Sequence, residues 1–183
     1  MALKQKTPKT DAVSLLRFET PIGTVVSVAS AHGIESVSFT DEDSGPKPER
    51  PITDDFEKFL HPLKSQLEEY FEGKRKTFEL ALAPSGTPFQ QKAWDVLQRI
   101  PYGETRTYQQ QTGYIGDPKA IRAVASANGK NPVAIVIPCH RVIGTDGSLT
   151  GYAGGLWRKK WLLEHEHRFT EQKGQLHIEF PPL

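Results

Sequence analysis

The single cysteine of this 183-residue chain, Cys139, stands in the run Pro138-Cys139-His140-Arg141. A lone thiol excludes an internal disulfide, a multi-thiolate zinc site, an iron–sulfur cluster and a redox pair with a resolving thiol. What remains is chemistry at one sulfur. A free thiol has a pKa of about 8.5, so a nucleophilic Cys139 needs help at neutral pH. His140 is the nearest candidate base and Arg141 a local positive charge. Adjacent residues of an extended chain point opposite ways, so His140 serves Cys139 only through a sharp turn or a bridging water. The competing reading is a buried, inert cysteine, the commoner fate of an unpaired one.

The elements that must position this segment follow from the pattern around it. Val133 to Ile137 is continuously apolar and predicts a buried strand that ends at Pro138. The glycines between Gly144 and Gly155 carry no Walker lysine and no dinucleotide-binding spacing; they let backbone approach a flat ligand. Trp157, Trp161, Leu162 and Leu163 predict a final helix that ends at Glu164-His165-Glu166. Glu166 there is either a partner for His140 or a solvated helix-end acid, and its spacing favours the second.

Upstream, Thr107 to Thr112 predicts a short helix, Gly113 to Gly116 a turn, and Asp117-Pro118 the start of a second helix. In the second, Ile121, Val124 and Ala125 take the buried face, with Lys119, Arg122 and Ser126 opposite. The exposed face is small (Ala120, Ala123, Ser126, Ala127), which suits close approach to a duplex. A helix-turn-helix is equally a packing device, so DNA binding and plain packing stand as equal readings. Thr87-Pro88-Phe89-Gln90 opens an earlier helix with a capping box and an apolar stripe through Ala93, Val96, Leu97 and Ile100.

The first half is β-rich. Runs around Val13–Phe18, Val25–Val28 and Ile34–Phe39 predict a meander, with Thr77–Leu82 as a further strand. Leu63, Leu67, Tyr70 and Phe71 predict a helix with Pro62 near its first turn and Gly73 past its end. Residues 40–53 read as an exposed loop, and Gln175–Phe180 as a short edge strand. A quarter of the residues are charged and the formal net charge is +1. Residues 40–72 carry four bases against ten acids, residues 119–160 seven bases against Asp146 alone. That asymmetry suits a nucleic-acid footprint on one part only, or two ordinary solvated faces. No apolar run reaches the length of a membrane span and no secretory leader precedes Val13, so a cytoplasmic protein is expected, or a nuclear one in a eukaryote.

Ile137-Pro138-Cys139-His140-Arg141-Val142 resembles the active-site signature of the O6-alkylguanine-DNA alkyltransferases, the methylated-DNA–protein-cysteine methyltransferases. Gly86-Thr87-Pro88-Phe89-Gln90, Ile100-Pro101-Tyr102-Gly103-Glu104-Thr105, Arg122-Ala123-Val124, Gly129-Lys130-Asn131-Pro132, Gly151-Tyr152-Ala153-Gly154-Gly155 and Trp161-Leu162-Leu163-Glu164-His165-Glu166 match family motifs in order. The match is strong over residues 86–167, and over 1–85 it is one of layout.

The resemblance implies an α+β fold. A small ribonuclease-H-like α/β domain would occupy residues 1–85. A mostly helical, winged-helix-like domain with the helix-turn-helix would occupy 86–167, and a tail 168–183. It implies that Cys139 accepts the alkyl group, that His140 activates it through a water, that Glu166 holds His140, and that Asn131 pins the turn. It makes Arg122 a finger that fills the gap left by an extruded nucleotide and Tyr108 a residue that helps rotate that nucleotide and donates a proton. Val142, Tyr152 and Ala153 would recognise the guanine edge and Lys159 wall the pocket, while Lys119, Ala123 and Ser126 would face DNA. The partner would be double-stranded DNA bearing O6-alkylguanine, with O4-alkylthymine as a second lesion the family resemblance allows, met in the minor groove by a monomer with no cofactor and no metal.

Two departures stand out. Ala153 replaces a serine of some members, and the cysteine-containing zinc site of others cannot form in that shape. The competing functions are a non-catalytic alkyltransferase-like lesion-binding protein, which lacks the acceptor cysteine, a plain helix-turn-helix regulator, and a cysteine hydrolase that turns over.

Overall fold

A computed structural model describes residues 12–41 and 50–171. The middle of the expected 40–53 loop and the expected edge strand near the end lie outside these residues.

Three strands, β1 (Ser14–Thr20), β2 (Gly23–Ser30) and β3 (Gly33–Thr40), form an antiparallel sheet in the order β1-β2-β3. This is the expected meander. Its apolar inner residues, Val25, Ala29, Ile34 and Val37, are buried against α1 (Glu57–Phe71), which turns Leu60, Leu63, Leu67 and Tyr70 inward. Those four recur at helical spacing, so one stripe covers one sheet face. The helix begins earlier than Pro62 predicts. Pro62 is its sixth residue and is exposed. The hydrogen bond it cannot donate is therefore lost on the wet side, where water serves the free carbonyl.

The expected strand 77–82 is reduced to one parallel bridge between Leu82 and Ile34. A second single bridge joins Val133 to Val37. The outer edge of β3 is thus shared by two segments, each using one rung: Val37 N–H donates to Pro132 O and Ala134 N–H to Val37 O, both at 2.8 Å. The edge is covered without a fourth strand, and the segment leading to Cys139 is tied to the N-terminal sheet.

The helices of the second half are α2 (Pro88–Leu97), α3 (Tyr108–Ile115), α4 (Ile121–Gly129) and α5 (Leu156–Glu171). Thr87 and Gln90 close the capping box of α2, and Thr107 and Gln110 close another on α3. α3 runs through Gly113 and stops at Gly116, whose φ of 88° suits glycine. α4 starts at Ile121 rather than Pro118. Asp117 Oδ1 accepts the Lys119 N–H at 3.0 Å, so the chain spends residues 117–119 on a turn.

The later start rotates the buried face of α4 as well. Val124, Ala127 and Asn128 are buried, whereas Ile121 and Ala125 are exposed. Asn128 is drawn in by a reciprocal amide clasp: Gln111 Nε2 donates to Asn128 Oδ1 at 3.0 Å and Asn128 Nδ2 to Gln111 Oε1 at 2.7 Å. Trp94 Nε1 donates to Ala127 O at 2.9 Å. The helix-turn-helix is thereby locked by paired buried polar groups as well as by Ala93, Val96 and Ile115. A two-residue strand, β4 (Arg106–Thr107), pairs in parallel with β5 (Val142–Ile143) at the entrance to α3.

Candidate active site

The apolar run 133–137 is buried, but it is not a strand. After the rung at Val133 the chain coils back on itself. Ile137 N–H donates to Val133 O at 3.0 Å and Val136 N–H to Ala134 O at 2.8 Å, with Ile135 at φ 69°. Ile135 is the one non-glycine residue at positive φ among the described residues, and it is β-branched. Such a conformation costs on the order of 1–3 kcal/mol and persists only where the surroundings hold it. Asn131 is the holder: its Oδ1 accepts the Val133 N–H at 3.1 Å and its Nδ2 donates to Ile137 O at 2.7 Å.

The same Nδ2 lies 3.2 Å from Cys139 Sγ. Cys139 opens a single 3-10 turn, Cys139–Arg141, so the chain is not extended between the thiol and His140. Burial pushes the thiol up, while the Asn131 hydrogen bond and the Lys159 charge pull it down. Cys139 is buried, with 8% of the residue's surface exposed. A cavity of about 550 Å³ borders the same segment at Val136, Pro138 and Arg141, but Cys139 is not among its walls.

His140 is fully buried and its Nε2 lies 2.8 Å from Glu166 Oε1. Glu166 is not a solvated helix-end acid, and α5 does not end there. The helix runs to Glu171, which places Glu166 within it, 1% exposed. Its carboxyl takes five contacts. Oε1 accepts from Tyr70 OH at 2.8 Å and Arg141 Nη2 at 2.9 Å besides His140; Oε2 accepts from Arg141 Nε at 2.9 Å and Gly103 N–H at 3.0 Å. Burial opposes the charge, yet the His140 and Arg141 partners outweigh it and hold the carboxyl far below the usual range.

An ionised carboxylate only accepts, so the His140 proton sits on Nε2 and the lone pair on Nδ1. Nδ1 is buried and without a protein partner. Burial pushes the imidazole below its ordinary value against the pull of Glu166. A neutral base with its lone pair free is the result.

Arg141 does not serve the thiol. Its fork is spent on Glu166, and Nη1 donates to Ile100 O at 2.7 Å. The cation that acts on Cys139 is Lys159. It is fully buried, and its Nζ donates to Val142 O at 2.6 Å and Thr150 O at 2.8 Å. No carboxylate pairs with it among the described residues, and burial pushes it down to about 8. Its Nζ also lies 5.9 Å above the ring of Tyr108, whose OH donates to Thr150 O at 3.1 Å. Lys159 therefore gathers Val142, Thr150 and Tyr108 beside the sulfur.

Tyr152 lies close enough for the Cys139 charge to push its phenol further up, after burial, and its OH is buried without a protein partner. Ala153 is exposed beside it. Arg158 anchors this glycine-rich loop from behind, with Nη1 donating to Gly154 O at 2.9 Å and Nε to Ile22 O at 2.7 Å.

Arg122, Ala123 and Ser126 lie exposed on α4, and Lys119 in the turn before it. Thus Asn131, Cys139, His140, Glu166, Lys159, Tyr108, Val142 and Tyr152 form one cluster, and the α4 residues form a separate outer face. Sequence reasoning missed Tyr70 and the Arg141 clamp. Tyr70 reads as one more apolar position on α1, and the only signal was general: a buried tyrosine hydroxyl needs a partner.

Residues 88–168 match the family model "6-O-methylguanine DNA methyltransferase, DNA binding domain", and residues 16–84 match its "ribonuclease-like domain". A methylated-DNA–protein-cysteine methyltransferase of Methanosarcina acetivorans is 47% identical over 152 residues, covering 81% of this chain and 95% of that one. The chain belongs to the 6-O-methylguanine DNA methyltransferase family. The constitutive methylated-DNA–protein-cysteine methyltransferase of Bacillus subtilis is 52% identical over 111 residues, which cover 61% of this chain and 67% of that one. Among solved structures, Mycobacterium tuberculosis O6-methylguanine methyltransferase is similar at a TM-score of 0.76 and 38% identity, over 85% of this chain and 93% of that one. A Mycobacterium tuberculosis OGT structure in complex with DNA has the same TM-score at 37% identity, over 86% and 94%. The α+β class and the resemblance drawn from the Pro-Cys-His-Arg segment both hold.

Proposed function

We propose that this protein repairs DNA by direct reversal, moving the alkyl group of O6-alkylguanine onto Cys139 in one irreversible turnover. The observation that carries the residue roles is the chain of contacts Asn131–Cys139, then His140–Glu166, with the His140 Nδ1 lone pair left for a proton. The target carbon lies inside a stacked duplex, so the nucleotide must be swung out, at a cost of a few kcal/mol that a damaged pair lowers. The bare, small-residue face of α4 meets the minor groove, and Arg122 fills the space left behind.

A water carries the thiol proton to His140 Nδ1, and Glu166 stabilises the imidazolium. Cys139 Sγ, drawn toward the thiolate by Lys159 and Asn131, attacks the alkyl carbon. The S–C bond forms, the C–O6 bond breaks, and the electron pair stays on the guanine. Tyr108, held as a phenol by burial, donates its proton to the leaving base, and Lys159 sits 5.9 Å from its ring to offset the charge left on oxygen. Val142, Tyr152 and the backbone at Ala153 contact the guanine edge. The product is a thioether, and no second thiol is present to reverse it.

In this reading residues 1–85 form the ribonuclease-H-like domain and 86–167 the DNA-binding and alkyl-transfer domain, whose last helix runs on to Glu171, past the expected start of a tail at 168. The protein works as a monomer in the cytoplasm, or in the nucleus of a eukaryote. No helix of the described residues is long and apolar enough to cross a membrane. Presence of the acceptor cysteine sets this chain apart from lesion-binding proteins without chemistry. The test is titration of an O6-methylguanine duplex with the protein while restored guanine is counted. One guanine per protein, and none with Cys139→Ala, is expected; continued turnover overturns the reading.

A further inference from the structure

The relay carboxylate is touched from the first half of the chain as well as the second. Tyr70 of α1 and Glu166 of α5 are 96 positions apart, both almost wholly buried, and joined OH to Oε1 at 2.8 Å. Oε1 is the oxygen that also faces His140 Nε2 at 2.8 Å. We propose that Tyr70 is a positioning residue for alkyl transfer: by sharing Oε1 with His140, its hydroxyl sets how firmly the imidazole holds a proton, and so couples the N-terminal domain to the reactive thiol.

The geometry leaves the hydroxyl no other role. Glu166 accepts only, so the phenol proton points at it. Burial, with the neighbouring carboxylate, keeps Tyr70 protonated. The ring is wedged edge-on against Phe71 at 5.4 Å and Tyr102 at 5.8 Å, and His165 stands 5.2 Å away. Rotation away from Glu166 is therefore blocked. Each donor on a carboxylate draws off part of its charge. Three donors converge on Oε1, from His140, Tyr70 and Arg141. Removing one leaves more of the charge for the other two. Arg141 is already held on both carboxylate oxygens, and His140 is the titratable base that Glu166 acts on, so the group that responds is His140.

The charged and titratable groups around this pair are Arg141 on the 3-10 turn, Tyr102 on the loop after α2, and Lys159 and His165 on α5. Arg141 and Lys159 both oppose a proton on His140. The phenol acts in the same direction, by weakening the carboxylate that favours one.

This assignment rests on the transfer reading above. The experiment is the pH dependence of the transfer rate, followed by protein mass on an O6-methylguanine duplex, for the unaltered protein, Tyr70→Phe and Leu67→Ala. Leu67 is buried on the same helix and makes no polar contact with the relay, so it reports a purely structural loss. Tyr70→Phe keeps the ring. The acid limb, where His140 takes a proton and stops acting as a base, should move to higher pH by about half a unit in Tyr70→Phe. It should stay in place in Leu67→Ala even as melting temperature falls. A limb unmoved in Tyr70→Phe, moved to lower pH, or moved equally by Leu67→Ala overturns the assignment while leaving the transfer reading intact. No adduct on the unaltered protein overturns both.

Discussion

Two cations lie buried within a few residues of the same reaction, and they meet opposite fates. Arg141 is gripped on both oxygens of Glu166. Lys159 has the carbonyls of Val142 and Thr150 and no carboxylate partner among the described residues, and burial pushes it down to about 8. An ion pair satisfies the desolvation of both partners only when its geometry is good, and the planar fork of arginine provides that. A lysine among carbonyls keeps an uncompensated charge. The relay end is therefore a fixed, neutralised anchor that holds His140 in one tautomer. The sulfur end holds an unneutralised cation whose field is available to a thiolate.

Breaking the anchor should have the largest effect. Glu166→Gln leaves Arg141 buried and unpaired and hands His140 a partner that can donate. A stability loss of about 3–5 kcal/mol in chemical denaturation is expected, with a fall in transfer rate of about a hundredfold or more as the tautomer is no longer enforced. A variant as stable as the parent would contradict the anchor role.

Lys159→Met should separate the two properties. The transfer rate at neutral pH should fall by about tenfold, for each pKa unit by which the Cys139 thiol rises. Stability should hold or improve, because a costly buried charge is gone. A large loss of stability with an unchanged rate would reverse the roles assigned to the two cations.

The pH dependence of stability sharpens the same contrast. Glu166 has its folded pKa far below the ordinary 4.5, so its contribution is complete above about 4.5 and is lost as pH falls toward the folded value. Lys159 has its folded value lowered from 10.5 to about 8, so folding disfavours its charged form. Stability should rise between about 8 and 10.5 by up to about 3 kcal/mol, and Lys159→Met should remove that rise. Denaturation midpoints across pH 3 to 10.5 check both limbs, and a protein whose alkaline limb is identical in Lys159→Met contradicts the assignment.

The outermost region should show the smallest effect. Arg122→Ala should slow repair by about tenfold while reducing affinity for undamaged duplex about twofold, since one wedge is lost and the basic surface remains. Equal losses in both would count against a finger role.

How much of this was legible depended on whether the signal was local. Short β-rich runs split by turn residues marked β1 to β3, and Thr87-Pro88-Phe89-Gln90 marked the start of α2. The segment 133–137 misled because apolar continuity reports burial and not backbone shape; the polar residue that bends it, Asn131, lies outside the run. On α4 the apolar periodicity placed Ile121 and Ala125 inside, but the Asp117 turn delayed the helix and the Gln111–Asn128 clasp drew a polar residue in instead. Glu166 looked solvated because its partners, Tyr70, Gly103 and Arg141, come from three distant parts of the chain. The cysteine and its histidine were visible in the local pattern; Glu166 as their partner came with the family resemblance, and the action of Lys159 on the thiol and of Arg141 and Tyr70 on Glu166 came only with the structure.

The central claim is that Cys139 keeps the alkyl group it removes. The most direct test is the intact mass of the protein after incubation with excess O6-methylguanine duplex, followed by mapping of the modified peptide. The expected result is a gain of one methylene unit per chain, located on Cys139, with an equal amount of guanine restored. An unmodified protein, a mass gain on another residue, or more guanine restored than protein supplied would contradict the account.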